Sequence, residues 1–319
     1  MPIAVIRTLR VHSLRTLRVN VATRGIHVFN SISALRAGRK QMNGSLGFVP
    51  TMGALHQGHL SLAQQALKEN DNVVVSIFIN PTQFSAGEDL DKYPKKVEQD
   101  LAMLTDIGIK HVFVPERADL LKPDSLCRVE APAFNNIYEG NKRPEFFRGV
   151  ATIVCKLFNI VQPDVAYFGQ KDISQFIMLR SMVEDLNMPV HVKCCETLRE
   201  KDGLAMSSRN VYLSPSERQA ASILYKALTA AGDCYLSCQV RGGGDVALVI
   251  DAARQVLSSE PLVTSVQYIS VASPRNMQEV TSLVSAEEGA VISAAITIGS
   301  VRLIDNILVG ASREVIFNE

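Results

Sequence analysis

The densest cluster of residues able to do chemistry is Pro50-Thr51-Met52-Gly53-Ala54-Leu55-His56-Gln57-Gly58-His59-Leu60. It follows an apolar run of strand length and opens a helix-like stretch. Its far end is therefore a helix N-terminus, with unpaired N–H groups on offer to an anion. Gly53 and Gly58 allow close backbone approach. His56 and His59 stand three apart, so on a helix they share a face. Two imidazoles there suit contact with a triphosphate and stabilisation of charge building on phosphorus during attack. The same H-x-x-H pair could instead hold a metal ion, or be only the polar tip of a Gly-rich turn. Spacing alone leaves these readings open, and any metal ligands unknown.

A second segment, Asp202-Gly203-Leu204-Ala205-Met206-Ser207-Ser208-Arg209-Asn210, is rich in hydroxyls and carries a cation. Backbone N–H groups, two hydroxyls and a guanidinium are what a clamp on β- and γ-phosphates needs. Met-Ser-Ser-Arg by itself is more often a surface turn. Together the two segments resemble the paired signatures of the class I aminoacyl-tRNA synthetase and nucleotidyltransferase superfamily. In that superfamily an H-x-G-H segment and a Lys/Ser-rich loop grip ATP from two sides.

The resemblance extends to one family. Pro50–Leu60, the run Ile77–Phe84, Tyr93-Pro94, Tyr167–Asp172 with Gln175, Arg199–Asn210 and Arg302–Asn306 are similar in order and spacing to pantothenate synthetases. The similarity covers roughly residues 26–319. It implies an enzyme that adenylates pantoate with Mg-ATP and passes the acyl group to β-alanine, releasing AMP and pyrophosphate. It implies an ATP site lined by Met52, Gly53, Ala54, Leu55, His56, Gln57, Gly58 and His59, by Gly169, Gln170, Lys171 and Asp172, and by the backbone at Leu198. His59 would be the proton donor. Lys171, Met206, Ser207, Ser208 and Arg209 would hold the phosphates and the departing pyrophosphate. Gln83 and Gln175 would bind pantoate, with Asn80, Tyr93 and Arg143 completing the neighbourhood. It also implies a homodimer. A nucleotidyltransferase of the same superfamily with another small substrate is the alternative.

Residue chemistry stands beside these roles. Asn80-Pro81-Thr82-Gln83 ends an apolar run, and ligands of open α/β sheets bind beyond the carboxyl ends of strands. Gln and Asn are neutral two-sided hydrogen-bonders, suited to a hydroxy acid whose carboxylate must stay nucleophilic. Lys171 opens a helix directly after a strand, again at an anion-friendly end. Otherwise Gln83, Gln175 and Lys171 read as solvated surface. One departure stands out: many bacterial members have a histidine where this chain has Phe146, which puts a polar role there in doubt.

These groups need a scaffold. Strand-like Leu46–Pro50, Val73–Ile79, His111–Val114, Val165–Phe168 and Val190–Cys194 alternate with helical patterns at His59 onward, Val97–Ile107, Gly149–Val161 and Asp172–Leu186. Such alternation implies parallel strands with crossover helices: a Rossmann-like, doubly wound α/β domain over residues 26–197. From residue 198 the order changes to a smaller α+β domain. Ser214-Pro215-Ser216-Glu217 reads as a capped helix start leading toward Gly232, and Asp245–Leu257 as a second helix. Strand runs follow at Ser265–Val271, Ala290–Ile298 and Val301–Val309, the last two joined by the hairpin pair Gly299-Ser300. The Gly- and charge-rich stretch Phe84–Tyr93 is a candidate mobile cover.

Composition narrows the class. Net charge is +1 over 319 residues, which gives no field for nucleic acid or a membrane surface. The longest apolar stretch, Ala290–Val309, is broken by Gly299, Arg302 and Asp305. The six cysteines show no spaced framework, so reduced, mostly buried thiols in a cytoplasmic protein are expected. No acidic residue precedes Glu69, and five arginines fall within residues 1–25. That basic extension reads equally as a disordered arm or as a mitochondrial presequence.

Overall fold

The computed structural model describes residues 25–85, 87–283 and 289–318. The Arg-rich extension lies outside them but for its last residue. The first unit comprises β1 (His27–Phe29), α1 (Ile32–Arg39), β2 (Leu46–Thr51), α2 (Gln57–Glu69), β3 (Asn72–Ile77), α3 (Val97–Asp106) and β4 (His111–Phe113). Three short helices follow, α4 (Arg117–Leu120), α5 (Pro132–Asn135) and α6 (Tyr138–Lys142). It closes with α7 (Phe146–Val161), β5 (Val165–Gly169), α8 (Ile173–Asp185) and β6 (His191–Cys195).

The strands form one parallel sheet in the order β1-β4-β3-β2-β5-β6. Its faces explain the apolar runs. Phe48 and Val74 pack toward α7 and α8, while Val49, Val73, Val75 and Ile77 pack toward α2 and α3. A strand covered on both sides needs no polar alternation. Chain order reverses between β2 and β5, and the crevice past their carboxyl ends is the topological switch point where such sheets bind ligands.

The second unit holds α9 (Pro215–Ala220), α10 (Ile223–Val240), α11 (Val246–Ser258), β7 (Val263–Ala272), β8 (Ala290–Ile298), β9 (Val301–Val309) and α12 (Ser312–Phe317). Its antiparallel sheet runs β7-β8-β9, and α10 and α11 cover one face through Leu228, Ala231 and Ala253 against Ile292, Ala294 and Ile296. The expected hairpin is present, with Ile298 opposite Val301. The two units share apolar contacts, because Ala272, Val291 and Ile316 join the core around α7 and α8.

Several boundaries differ from the sequence reading. Ser214 does cap a helix, with its N–H donating to Glu217 Oε2 at 2.8 Å, but that helix breaks at Ala221-Ser222. The next helix, α10, runs through Gly232 to Val240. Gly232 is not a terminator there: a Cβ would stand 2.8 Å from Ile307 Cδ1, so the position admits β9 rather than ending the helix. β1, α1 and α12 were not expected, being short elements; α1 buries only Leu35 and so shows no clear period. Cys194 and Cys238 are buried, Cys127 is exposed, and none of the six is in a disulfide. Among the described residues no helix is long and apolar enough to cross a membrane.

Candidate active site

β2 ends at Thr51, whose hydroxyl donates to the carbonyl of Ser76 at 2.7 Å and accepts from the Gly53 N–H at 3.2 Å. The chain then turns through two left-handed residues, Gly53 (φ 79°) and Ala54 (φ 51°). For alanine this conformation costs energy and needs a fixed partner. Buried Asp100 supplies it, accepting from Ala54 N at 2.9 Å and Leu55 N at 2.8 Å. Burial raises the Asp100 pKa, and those two donors oppose the rise.

His56 caps α2. Its Nδ1 accepts from the Gly58 N–H at 3.1 Å, and the His56 N–H donates to His59 Nδ1 at 3.4 Å. With both Nδ1 atoms accepting, each neutral ring carries its proton on Nε2. The rings lie 4.1 Å apart between centroids. Burial, then Lys171, lowers the His56 pKa to about 4; burial, then His56 and Lys171, lowers that of His59 to about 3. Both are neutral hydrogen-bond donors at neutral pH. The N–H groups of Gly53, Ala54, Leu55, His56 and Gly58 are already bonded, those of Ala54 and Leu55 to Asp100 of α3. Little of this backbone is left to meet an anion.

Across the switch point, β5 ends at Gly169 and a 3₁₀ turn, Gln170–Asp172, carries Lys171. Asn306 of β9 clasps that turn. Its Nδ2 donates to the carbonyls of Gln170 (2.8 Å) and Lys171 (3.0 Å), and its Oδ1 accepts from Gln170 Nε2 at 3.1 Å. Asp305 beside it is fully buried against Arg199, at 2.5 and 3.0 Å. The second unit thereby fixes the backbone from which Lys171 projects.

The turn after β3 is held as tightly. Asn80 is 2% exposed, and its Nδ2 donates to Gln83 Oε1 at 2.9 Å and to the Gly149 carbonyl at 3.2 Å. Gln83 therefore has its NH₂ end free to face a ligand. Arg143 packs over the Phe146 ring at 3.9 Å and donates to the Gln83 carbonyl at 2.9 Å and to both oxygens of Glu88 at 2.7 and 2.9 Å. Phe146 is thus an apolar platform for Arg143. Buried Glu139 ties the two units together: it accepts from Arg143 (3.3 Å), from Arg302 (3.1 and 2.6 Å) and from the Tyr268 hydroxyl (3.0 Å). Burial alone would raise the Glu139 pKa, but Arg302 and Arg143 outweigh it and hold it below its ordinary value.

The hydroxyl-rich loop closes the far side. Ser207 Oγ accepts from the Arg209 N–H at 3.3 Å, starting a 3₁₀ turn over Ser208–Tyr212. The Ser208 hydroxyl is 3.0 Å from that of Tyr93, and Arg209 makes three contacts of 2.8–3.2 Å with Asp89. This loop and the histidine segment adjoin, since a Cβ on Gly58 would lie 3.6 Å from Met206 Cβ.

One cavity of about 810 Å³ lies between these parts. From the first unit, Met52, His56, Gly58, His59, Asn80, Gln83, Tyr93, Arg143, Gly169, Lys171, Asp172 and Gln175 line it. Leu198, Met206, Ser207, Ser208 and Arg209 face them. Gly53, Ala54, Leu55, Gln57 and Gln170 are not on its wall; Gln170 is spent on Asn306. Asp89, Arg302 and an apolar wall of Val150, Ile153 and Val154 were not singled out from sequence, nor were Asp100, Glu139 and Gly149 behind the wall. Arg302 and Asn306 did fall inside a family-like motif, which was the available signal.

A doubly wound α/β sheet with paired imidazoles, a lysine and a Ser-Ser-Arg loop around one cavity at the switch point defines a nucleotide-using enzyme. The family model for pantoate–β-alanine ligase matches residues 27–308. The pantothenate synthetase of Chloroflexus aggregans is 47% identical over 281 residues, covering 88% of this chain and 99% of its own. The crystal structure of pantothenate synthetase from Thermus thermophilus superposes with a TM-score of 0.80 at 40% identity, covering 88% of this chain and 99% of that one. A pantoate–β-alanine ligase structure from Francisella tularensis, complexed with β-γ ATP and β-alanine, gives 0.72 at 32% identity over 89% and 97%. The chain belongs to the pantoate–β-alanine ligase family, and is a ligase that forms an amide bond.

Proposed function

We propose that the cavity carries out two steps on Mg-ATP, pantoate and β-alanine. The pantoate carboxylate attacks the α-phosphorus, breaking its bond to the pyrophosphate oxygen and leaving pantoyl adenylate. The β-alanine amine then attacks the acyl carbon, and the bond to AMP breaks as the amide forms. No covalent nucleophile of the chain takes part; catalysis is positioning and charge stabilisation.

In this reading Nε2–H groups of His56 and His59 meet the phosphates. The lowered pKa of His59 favours a hydrogen-bond donor over a proton donor. Lys171, Ser207, Ser208 and Arg209 take the β- and γ-phosphates. Leu198, Met206, Gly169 and Asp172 border the nucleotide, with Met52–Gly58 and Gln170 forming the ground beneath it. Gln83, presenting its NH₂ end, and Gln175 hold pantoate against the apolar wall, with Asn80, Tyr93 and Arg143 fixing the surroundings. Mg²⁺ enters with the nucleotide. The catalytic domain would span residues 26–197 and the clamp-bearing domain 198–319, in a homodimer.

The observation that supports this best is the meeting of the imidazole pair and the Ser-Ser-Arg loop across one cavity. The test is a coupled AMP assay with each substrate omitted in turn. Pyrophosphate release that depends on pantoate, and AMP release that depends on both acids, is the expected result. Pyrophosphate release indifferent to pantoate would reject it.

A further inference from the structure

Arg209 is not poised empty. Its Nε and Nη2 make three contacts of 2.8–3.2 Å with the Asp89 carboxylate, and the two side chains keep 30% and 21% of their exposure. Asp89 opens a 3₁₀ turn, Asp89–Lys92, in a segment otherwise stitched to the same loop by neutral bonds. The Tyr93 and Ser208 hydroxyls pair at 3.0 Å, and the Tyr212 hydroxyl donates to the Lys92 carbonyl at 3.1 Å. The other arginines on the cavity wall are anchored differently. Arg143 and Arg302 share Glu139, which is 5% exposed, so breaking those bonds would strand a buried charge. Asp89 and Arg209 are both partly exposed, so parting them strands no fully buried charge.

We propose that Asp89 is a resident counter-anion of the triphosphate site. Its carboxylate occupies the Arg209 guanidinium until phosphates arrive, is displaced by them, and returns as pyrophosphate leaves. This rests on the assignment of Arg209 to the phosphates. Two consequences follow from competition for one guanidinium. Phosphate affinity is set below what Arg209 could deliver alone, and the segment Asp89–Tyr93 loses its ionic tie to the loop while the nucleotide is bound. An anion returning to Arg209 also helps expel pyrophosphate, because the two cannot be accommodated together.

The measurement is calorimetric binding of Mg-pyrophosphate to the full-length wild-type chain, Asp89→Asn, Arg209→Ala and the double variant, with AMP as control. Asp89→Asn keeps the shape and removes the competing charge. It should bind pyrophosphate roughly two- to fivefold more tightly, the scale of a partly exposed ion pair, and kcat should fall as release slows while KM for ATP also falls. AMP affinity should not change, since AMP has no β-phosphate. Arg209→Ala should weaken pyrophosphate binding, and adding Asp89→Asn to it should change nothing further. Pyrophosphate binding by Asp89→Asn equal to or weaker than wild type, with Arg209→Ala weakened, overturns the counter-anion role. Wild-type binding by Arg209→Ala would instead reject the phosphate assignment beneath it.

Discussion

Replacing Gly149 by alanine tests whether Gln83 owes its position to close packing. Gly149 lies in the first turns of α7, against the turn Pro81–Gln83. A Cβ there would stand 2.1 Å from the Thr82 carbonyl oxygen, 2.5 Å from its carbon and 2.9 Å from Gln83 N. All three are backbone atoms, so no side chain can yield. An ordinary carbon–oxygen contact is about 3.3 Å, so helix and turn must part by about 1 Å. The Asn80 and Thr82 bonds to the Gly149 carbonyl, 3.2 and 3.3 Å, stretch with them. Overpacking of this kind costs about 1–3 kcal/mol of stability. A 1 Å displacement of a substrate-holding group costs on the order of 10²-fold in rate. Pantoate-dependent pyrophosphate release at saturating ATP should therefore show kcat/KM for pantoate down about 30- to 100-fold, while KM for ATP changes little. Wild-type pantoate kinetics with an unshifted melting temperature would refute the packing argument.

His59→Ala and Lys171→Ala should each lower adenylate formation by about 10²–10³, measured as pyrophosphate release; near-full activity would remove them from the phosphate site. Because the folded His56 and His59 pKa values are about 4 and about 3, below the unfolded value, protons bind the unfolded chain first. Stability should be unaffected by these rings above about pH 6.5 and fall from there to about pH 4 for His56 and about pH 3 for His59, by at most about 1.4 kcal/mol per pH unit for each; a urea-midpoint profile that His59→Gln does not flatten would contradict this. Glu139→Ala removes the acceptor shared by two guanidiniums and the Tyr268 hydroxyl, leaving Arg143 with Glu88 and Arg302 with Gln267. It should cost about 3–5 kcal/mol in urea unfolding, and a loss under 1 kcal/mol would show water replacing the carboxylate.

The sequence carried local information well. Strands such as β3, expected at Val73–Ile79 and found at Asn72–Ile77, announce themselves because burial on both faces favours unbroken apolar, β-branched runs. The two signature loops are legible only as a pair and through their resemblance to a family, since spacing alone leaves His56 and His59 open and Met206–Arg209 reads as a surface turn. What sets their geometry is scattered. Asp100 lies 46 residues from Ala54, and Asn306 lies 136 from Gln170. A lone aspartate in a helix pattern reads as solvated, and nothing in the neighbourhood of Glu139 marks it as the acceptor for Arg302, 163 residues on. Gly232 misled for the opposite reason: a residue that usually ends helices was kept for space against Ile307.

The charges around the cavity are arranged so that most are already spoken for before a ligand binds. Arg143 answers Glu88 and Glu139, Arg302 answers Glu139, Arg199 answers Asp305, and Arg209 answers Asp89. Lys171 stands 3.8 Å from Asp172. An adenylating site must hold a polyanion while admitting a second carboxylate, and a wall of unpaired cations would bind both too firmly and blunt the nucleophile. On the proposed reading neutral imidazoles avoid this, since they donate hydrogen bonds without adding charge and gain strength as charge builds on phosphorus. On that reading, the burial that lowers the histidine pKa values serves the chemistry as well as the packing. The fixed pairs at Glu139 and Asp305 hold the units in register, whereas the partly exposed pair at Asp89 can exchange without leaving a fully buried charge behind.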